Sequence, residues 1–386
     1  MIPDRVRAAL AALDRPVCAY VYDRAVLRAT AAAVRAALPA GSLLLYAVKA
    51  NGHPDVVAAL ASTVDGLEVA SGGELSLAAA AGAATIAFGG PAKTPAELTA
   101  AVAAGASRRI LVNVESPLEL RRLSTVDGLT TVLLRVNRSG AGLPGTHHMT
   151  GVATQFGIDE AQLPDAVALA RSLPGIRLAG FHLHAVSNNL DAAAHAGYVA
   201  GAVHWSAEAA DRFGIGLEYV NVGGGFGVDY TGDVSFDLDA LRDGLAAVRV
   251  PDGARLVFEP GRYLVAAGGW YAAEVLDLKH THGRTFAVLR GGTHHFRLPA
   301  AWGYSHPAIV VPVDDWPYPY DRPEVRKSTV DIVGELCTPR DVLARDTAVD
   351  RLRVGDLLVF GNAGGYGWDI SHHDFLRHPY PAVVVL

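Results

Sequence analysis

Between about residues 24 and 264 the chain repeats one pattern, a short and almost unbroken apolar run followed by an Ala/Leu-rich stretch. The runs are LLLYAVKAN (43–51), GLEVAS (66–71), ATIAFGG (84–90), RILVNVES (109–116), TVLLRVN (131–137), LAGFHLHAVS (178–187), LEYVNVGGGF (217–226) and ARLVFEPGR (254–262). A strand wet on one face alternates apolar with polar residues, whereas a strand covered on both faces does not. These runs therefore predict parallel strands buried between other layers. HPDVVAALAS, GELSLAAAAGA and TPAELTAAVAAG read as helices between them. About eight such units predict an α/β chain of the (β/α)8 barrel class, of the length usual for one. A doubly wound open sheet is the competitor. It gathers its polar signatures at one switch point, but here polar and glycine residues end many of the strands.

After about residue 265 the texture changes. AEVLDLKHTHGRTFAVLRGG reads as two strands joined by a Gly-containing turn, and STVDIVGEL, DLLVFGNAG and YPAVVVL as further strands. DDWPYPYDRPE (314–324) is a loop. Two domains are expected, a barrel up to about residue 264 and a β-domain after it.

Composition narrows the function. With 51% hydrophobic and 19% charged residues, the chain buries a large core and is not disordered. A net charge of -6 argues against nucleic acid as a partner. Two cysteines, Cys18 and Cys337, cannot scaffold a secreted protein. The first twenty residues scatter charge through any apolar core, so no signal peptide is visible. The uncharged stretch from Leu75 to Ala92 is broken by Gly82, Gly89, Gly90 and Pro91 and does not read as a membrane span. A soluble, cytoplasmic protein is expected.

Several residues carry possible chemistry. Only four of the 33 basic residues are lysines, at 49, 93, 279 and 327. Lys49 ends an apolar strand, where a neutral, nucleophilic amine costs less; it is also what a surface strand end looks like. Gly223, Gly224 and Gly225 follow a strand and suit either a phosphate cradle or a tight turn. Glu259 and Arg262 close another strand in EPGR, as a phosphate-binding Arg and a buried acid or as a structural pair. His182 and His184 share one face of a strand end, as metal ligands, as a stacking imidazole or as core histidines. Cys337 and Tyr366 lie in loop-like segments of the β-domain, and each could simply pack.

Taken together and in this order, YAVKAN, VASGGEL, HLHAVS, GGGFG, EPGR, GELC and GGYG resemble the fold-type III pyridoxal-phosphate decarboxylases, which include the ornithine and diaminopimelate decarboxylases. The resemblance spans essentially the whole chain and implies an alanine racemase-like barrel over 23–264 followed by a β-domain over 265–386 that residues 1–22 join. HAVSNNLD, GGTHHFRLPAAWG and CTPRDVLARD are more similar to the siderophore-biosynthesis branch, which acts on citryl-diamino acids such as citryl-diaminopropionate. A related branch acts on aminoacyl groups held by an acyl-carrier protein. The resemblance implies that pyridoxal 5'-phosphate is anchored on Lys49, with His184 stacked on its ring and Glu259 facing its pyridine nitrogen. Ser187, Gly224, Gly225, Gly261, Arg262 and Tyr366 would hold the phosphate end. Cys337 would reprotonate the α-carbon from the partner subunit of a homodimer with shared sites. His294, His295, Arg297 and His306, in GGTHHFRLPAAWGYSHP (291–307), are expected to receive the carboxylates of a citryl group.

The departures bear on substrate. Val186 stands where the classical enzymes have Gly, and Thr338 and Pro339 stand where they place acidic residues after the cysteine. In the ornithine-type enzymes such an acid meets a distal ammonium, so free diamino acids fit less well than a carboxylate-bearing amino acid conjugate. A carrier-bound aminoacyl group, free diaminopimelate, a racemase on the same cofactor, a metal-dependent barrel hydrolase using His182 and His184, and a non-catalytic cofactor-binding module remain open alternatives.

Overall fold

The computed structural model describes residues 2–140 and 142–386, and the chain divides into two compact units. One contains residues 28–229 and 234–264. The other contains the N-terminal residues through Leu27, residues 230–233 and residues 265–386.

The first unit is a closed barrel of eight parallel strands: Leu43–Ala47, Gly66–Val69, Thr85–Phe88, Arg109–Val114, Thr130–Asn137, Ile176–His182, Tyr219–Gly223 and Arg255–Phe258. Each pairs with the next, and the last returns to the first through Val257–Leu43 and Phe258–Leu44. Closure leaves no edge strand, and the continuous apolar runs follow from it, since one face lines the interior and the other meets helices. Leu43, Leu45, Ala87, Leu111, Leu133, Ala179, Tyr219 and Val257 fill the interior as a packed core.

Short polar residues set where the outer helices begin. Ser71, Thr94, Ser116, Asp191 and Asp237 each accept a backbone N–H in the first turn of the following helix, and Thr94 and Glu97 cap one another's backbone reciprocally. One strand approach demands glycine. At Gly180, where φ is +151°, an added Cβ would lie 1.9 Å from the Tyr219 carbonyl oxygen.

The second unit is a mostly antiparallel sheet in the order Ala308–Val311, Leu357–Phe360, Gly269–Thr281, Arg284–Leu289, Glu324–Val333, Val342–Arg353. The N-terminal strand Cys18–Tyr22 pairs with both Gly269–Thr281 and the C-terminal strand Ala382–Val385. The expected two-strand segment is present as Gly269–Thr281 and Arg284–Leu289, turning at His282 (φ 47°) and Gly283 (φ 76°). No described helix is long and apolar enough to cross a membrane.

Candidate active site

Polar side chains gather where the barrel strands end, although the strands themselves are apolar. Lys49 sits in a 3-10 turn, Val48–Ala50, directly beyond Leu43–Ala47, rather than on the strand itself. Its Nζ donates to Glu68 Oε2 at 2.8 Å, and Glu68 is buried on the neighbouring strand. Two of the other lysines have other employment. Lys93 is buried in an ion pair with Glu119 at 2.6 Å and donates to the Gly90 and Asn113 carbonyls at 2.7 and 2.9 Å. Lys279 lies on an exposed strand segment 3.5 Å from Asp277.

Glu259 is buried just past Arg255–Phe258. Asn221 Nδ2 donates to its Oε1 at 2.6 Å, and His182 Nε2 stands 3.5 Å from Oε2. Burial and the neighbouring Glu68 carboxylate push the Glu259 carboxyl up to about 7, against the opposing pull of Asn221, Lys49 and Arg135. Burial, aided by Arg135, His184, Lys49 and Lys93, holds the His182 imidazole well below its ordinary range and therefore neutral. His184 is lowered in the same way, by burial and then by Arg135, Lys49 and His195. The two imidazoles lie with ring centroids 6.4 Å apart, and both His182 ring nitrogens are buried without a hydrogen-bond partner.

The loop after Tyr219–Gly223 can be built only from glycine. Gly223 has φ +70° and Gly225 φ +104°; a Cβ on Gly224 would lie 2.3 Å from the Glu259 carbonyl oxygen, and one on Gly225 2.6 Å from that of Val186. The Gly224 N–H donates to His184 Nδ1 at 3.3 Å, and Asn221 Oδ1 accepts from the Gly223 N–H at 2.9 Å. Asn221 therefore ties the glycine loop to Glu259. Gly261 is equally close-packed, with a Cβ there falling 2.9 Å from that of Ala50, and buried Arg262 opens the next short helix. Ser187 belongs to a two-residue strand whose backbone pairs with 147–148.

The barrel thus brings together Lys49, His182, His184, Gly224, Gly225 and Glu259. Glu68, Asn221 and Arg135 complete the set and were not singled out from the sequence. Arg135 pairs with Glu115 at 2.9 Å and lies over the Phe156 ring at 4.6 Å. The available signal was one polar residue near the end of most of the otherwise apolar strands. These groups suit pyridoxal phosphate: an amine at the strand ends, a glycine loop with room for no side chain, a buried acid, and a buried neutral imidazole with unused nitrogens. Among the described residues no group of three or more His, Cys, Asp or Glu could hold a metal ion.

The second unit carries the remaining expected residues. Cys337 is exposed, and Tyr366 is half-buried in a loop with φ 55°. Arg297 is exposed, with Nη1 3.4 Å from His372 Nδ1. His294 and His295 instead lie in the interior at 0% exposure, their rings 3.8 Å apart. His294 faces Glu335 at 3.6 Å, and His295 faces Cys18 Sγ at 3.4 Å, with burial lowering its imidazole to about 3. His306 is also buried, between Tyr304 and the Gly361 carbonyl. Arg297 is thus the one residue of this group placed at the surface of its unit.

A closed (β/α)8 barrel with an amine, a glycine loop and a buried acid at its strand ends, followed by a β-sheet unit, defines a class of barrel enzyme that uses pyridoxal phosphate. Residues 24–266 match the family model described as pyridoxal-dependent decarboxylase, pyridoxal binding domain. The chain is 40% identical over 390 residues to a Staphylococcus aureus 2-[(L-alanin-3-ylcarbamoyl)methyl]-2-hydroxybutanedioate decarboxylase, covering 98% of this chain and 96% of that one. It is 32% identical to an L-glutamyl-[BtrI acyl-carrier protein] decarboxylase of Niallia circulans, covering 95% and 88%. The crystal structure of a diaminopimelate decarboxylase from M. jannaschii superposes with a TM-score of 0.86 at 25% identity, covering 98% and 88%. The chain belongs to the pyridoxal-dependent decarboxylase family and is a carboxy-lyase that uses pyridoxal 5'-phosphate.

Proposed function

We propose that the protein removes the α-carboxylate of a citryl-diamino acid, such as citryl-diaminopropionate, in the biosynthesis of a carboxylate siderophore. The observation that carries this reading is the 40% identity, over nearly the whole chain, to a decarboxylase whose named substrate joins a 2-hydroxybutanedioate to an alanin-3-yl amine through a carbamoylmethyl link. Thr338 and Pro339 support it, because the position after Cys337 offers no carboxylate to a distal ammonium.

Pyridoxal phosphate, when bound, supplies an electron sink for the bond that breaks between the α-carbon and its carboxylate. Lys49 Nζ would hold the cofactor and yield that place to the substrate amine, with Glu68 keeping the amine in position. Glu259, steered by Asn221, would keep the pyridine nitrogen protonated. His184 would cover one face of the ring. Ser187, Gly224, Gly225, Gly261, Arg262 and Tyr366 would hold the phosphate, the glycines through backbone N–H groups. Cys337 Sγ would deliver a proton to the α-carbon after CO2 leaves, and Arg297 would meet a substrate carboxylate.

In this reading residues 23–264 are the cofactor domain, and 265–386 with 1–22 the β-domain. The enzyme works as a cytoplasmic homodimer in which each Cys337 serves the partner's site. A second reading, an aminoacyl group carried by an acyl-carrier protein, is favoured by the likeness to the Niallia circulans enzyme. Mass spectrometry of products from a panel of citryl-diamino acids, free diamino acids and aminoacyl-carrier proteins separates the two. A decarboxylated citryl-diamino acid should be the main product, and exclusive turnover of carrier-bound substrate would overturn this reading.

A further inference from the structure

Residues two apart on a strand face the same way. Leu133, Tyr219 and Val257 fill the barrel interior, so Arg135, Asn221 and Glu259 turn inward one layer above them. His182 joins that layer, because it lies in register with Arg135 on one neighbouring strand and with Asn221 on the other. All four residues are buried, and a buried polar group costs free energy unless it is paired. Arg135 is paired with Glu115, and Asn221 donates to Glu259 while accepting from the Gly223 N–H. His182 has no such bond, since both its ring nitrogens are buried without a hydrogen-bond partner. Its Nε2 stands 3.5 Å from Glu259 Oε2, in electrostatic contact but beyond a well-formed hydrogen bond.

Glu259 is the group in this layer whose charge is contested. Burial and Glu68 oppose the carboxylate, whereas the Asn221 amide, Lys49 and Arg135 favour it. Lys49 already donates to Glu68 at 2.8 Å, and Asn221 reaches Oε1 alone. Oε2 is the oxygen that His182 faces. Burial first, then Arg135, His184, Lys49 and Lys93, keep the His182 ring neutral, so it carries one N–H and one lone pair. With Arg135 in register beside the ring and a carboxyl at Nε2, electrostatics place the proton on Nε2, toward the carboxyl oxygen.

We infer that His182 is a positioning residue whose Nε2–H is aimed at Glu259 Oε2 and holds that side chain as the carboxylate that faces the pyridine nitrogen of the cofactor. The inference rests on the role given to Glu259 above and deepens it by naming what keeps the acid charged in a buried layer. Glu259 and the pyridine nitrogen compete for one proton, and a donor at Oε2 favours the nitrogen. Loss of a charge-assisted donor should shift that balance about tenfold toward the carboxylic acid and a bare nitrogen. A ring that only filled space would leave the balance alone, and an apolar side chain of similar size would serve as well.

The test uses holoenzyme carrying nitrogen-15 in its histidines or, separately, in the pyridine ring of the cofactor, read by NMR near neutral pH. In the wild-type chain His182 should be neutral with its proton on Nε2, and the pyridine nitrogen should be protonated. His182→Leu should move the pyridine resonance toward that of a bare nitrogen, by the same factor of about ten in the proton's distribution. His182→Gln, which keeps an N–H near the place of Nε2, should stay close to wild type. A Leu variant with the wild-type pyridine resonance overturns the inference. So does a wild-type His182 with its proton on Nδ1, or on both nitrogens, a measurement that depends on no variant's folding. The role of Glu259 fails separately. A pyridine resonance unmoved by Glu259→Gln removes that role, whereas one moved by Glu259→Gln but not by His182→Leu removes only the part given to His182.

Discussion

Lys49 differs from Lys93 by its surroundings rather than its neighbours' charge, since both meet a glutamate. Lys93 is sealed in at 3% exposure beneath two backbone carbonyls, whereas the Lys49 side chain keeps 47% of its surface open. Borohydride reduction of holoenzyme should therefore leave the cofactor on a peptide containing Lys49; label on Lys93 would contradict the site. Cys337→Ala should slow turnover ~10²–10⁴-fold, the usual cost of losing a general acid, with cofactor absorbance unchanged. Glu259 sets a pH dependence of stability. Its carboxyl is raised in the folded chain to about 7, so the folded state holds the proton more tightly than the unfolded chain does. That contribution is fully present below the ordinary glutamate range and is lost as pH rises through about 7. Thermal melts of apoprotein should show Glu259→Gln removing this decline between pH 5 and 8; an identical slope in the variant would contradict it. At this scale the sequence exposed residues that end strands, such as Lys49 and Glu259. It hid Glu68 and Asn221, whose roles depend on which strand lies beside which. It also placed His294 and His295 at the substrate, because a His-Arg cluster in sequence does not reveal that the run from Thr293 to Phe296 is buried while Arg297 is exposed.

The elements were legible where one physical cause dominated. Burial on both faces removes polar alternation, so the eight barrel strands stood out as runs, whereas the Ser, Thr and Asp caps that start the helices were recognised only in the structure. The turn at Lys49 and the short pairing at Ser187 were not legible, because they arise from contacts outside their own segments. The glycine loop gives the sharpest element-scale prediction. Gly224→Ala should destabilise the protein by ~1–3 kcal/mol, because its Cβ would press on the Glu259 carbonyl, and should weaken cofactor affinity with it. Denaturant melts and cofactor titration check both. A stable variant with unchanged affinity would mean that the loop neither packs nor cradles as described.

At the scale of the whole molecule, the chain divides into a barrel that gathers Lys49, His184 and Glu259 and a sheet unit that carries Cys337. Mixing Cys337→Ala with Lys49→Ala protein should restore about a quarter of wild-type sites if subunits exchange freely within a symmetric dimer. No recovery in verified heterodimers would mean that each site is built from one chain. The composition signalled a large core and the ordered motifs an enzyme, but neither pairing of subunits nor the origin of each site's residues is written in one chain's pattern. The reaction is tested by turnover of citryl-diaminopropionate by holoenzyme in D2O, with CO2 collected and the product weighed by mass spectrometry. One CO2 should be released per product, with one deuterium at the carbon that carried the carboxylate. Deuterium gained by a substrate that keeps its carboxylate, or CO2 released from free diaminopimelate but not from the conjugate, would contradict it.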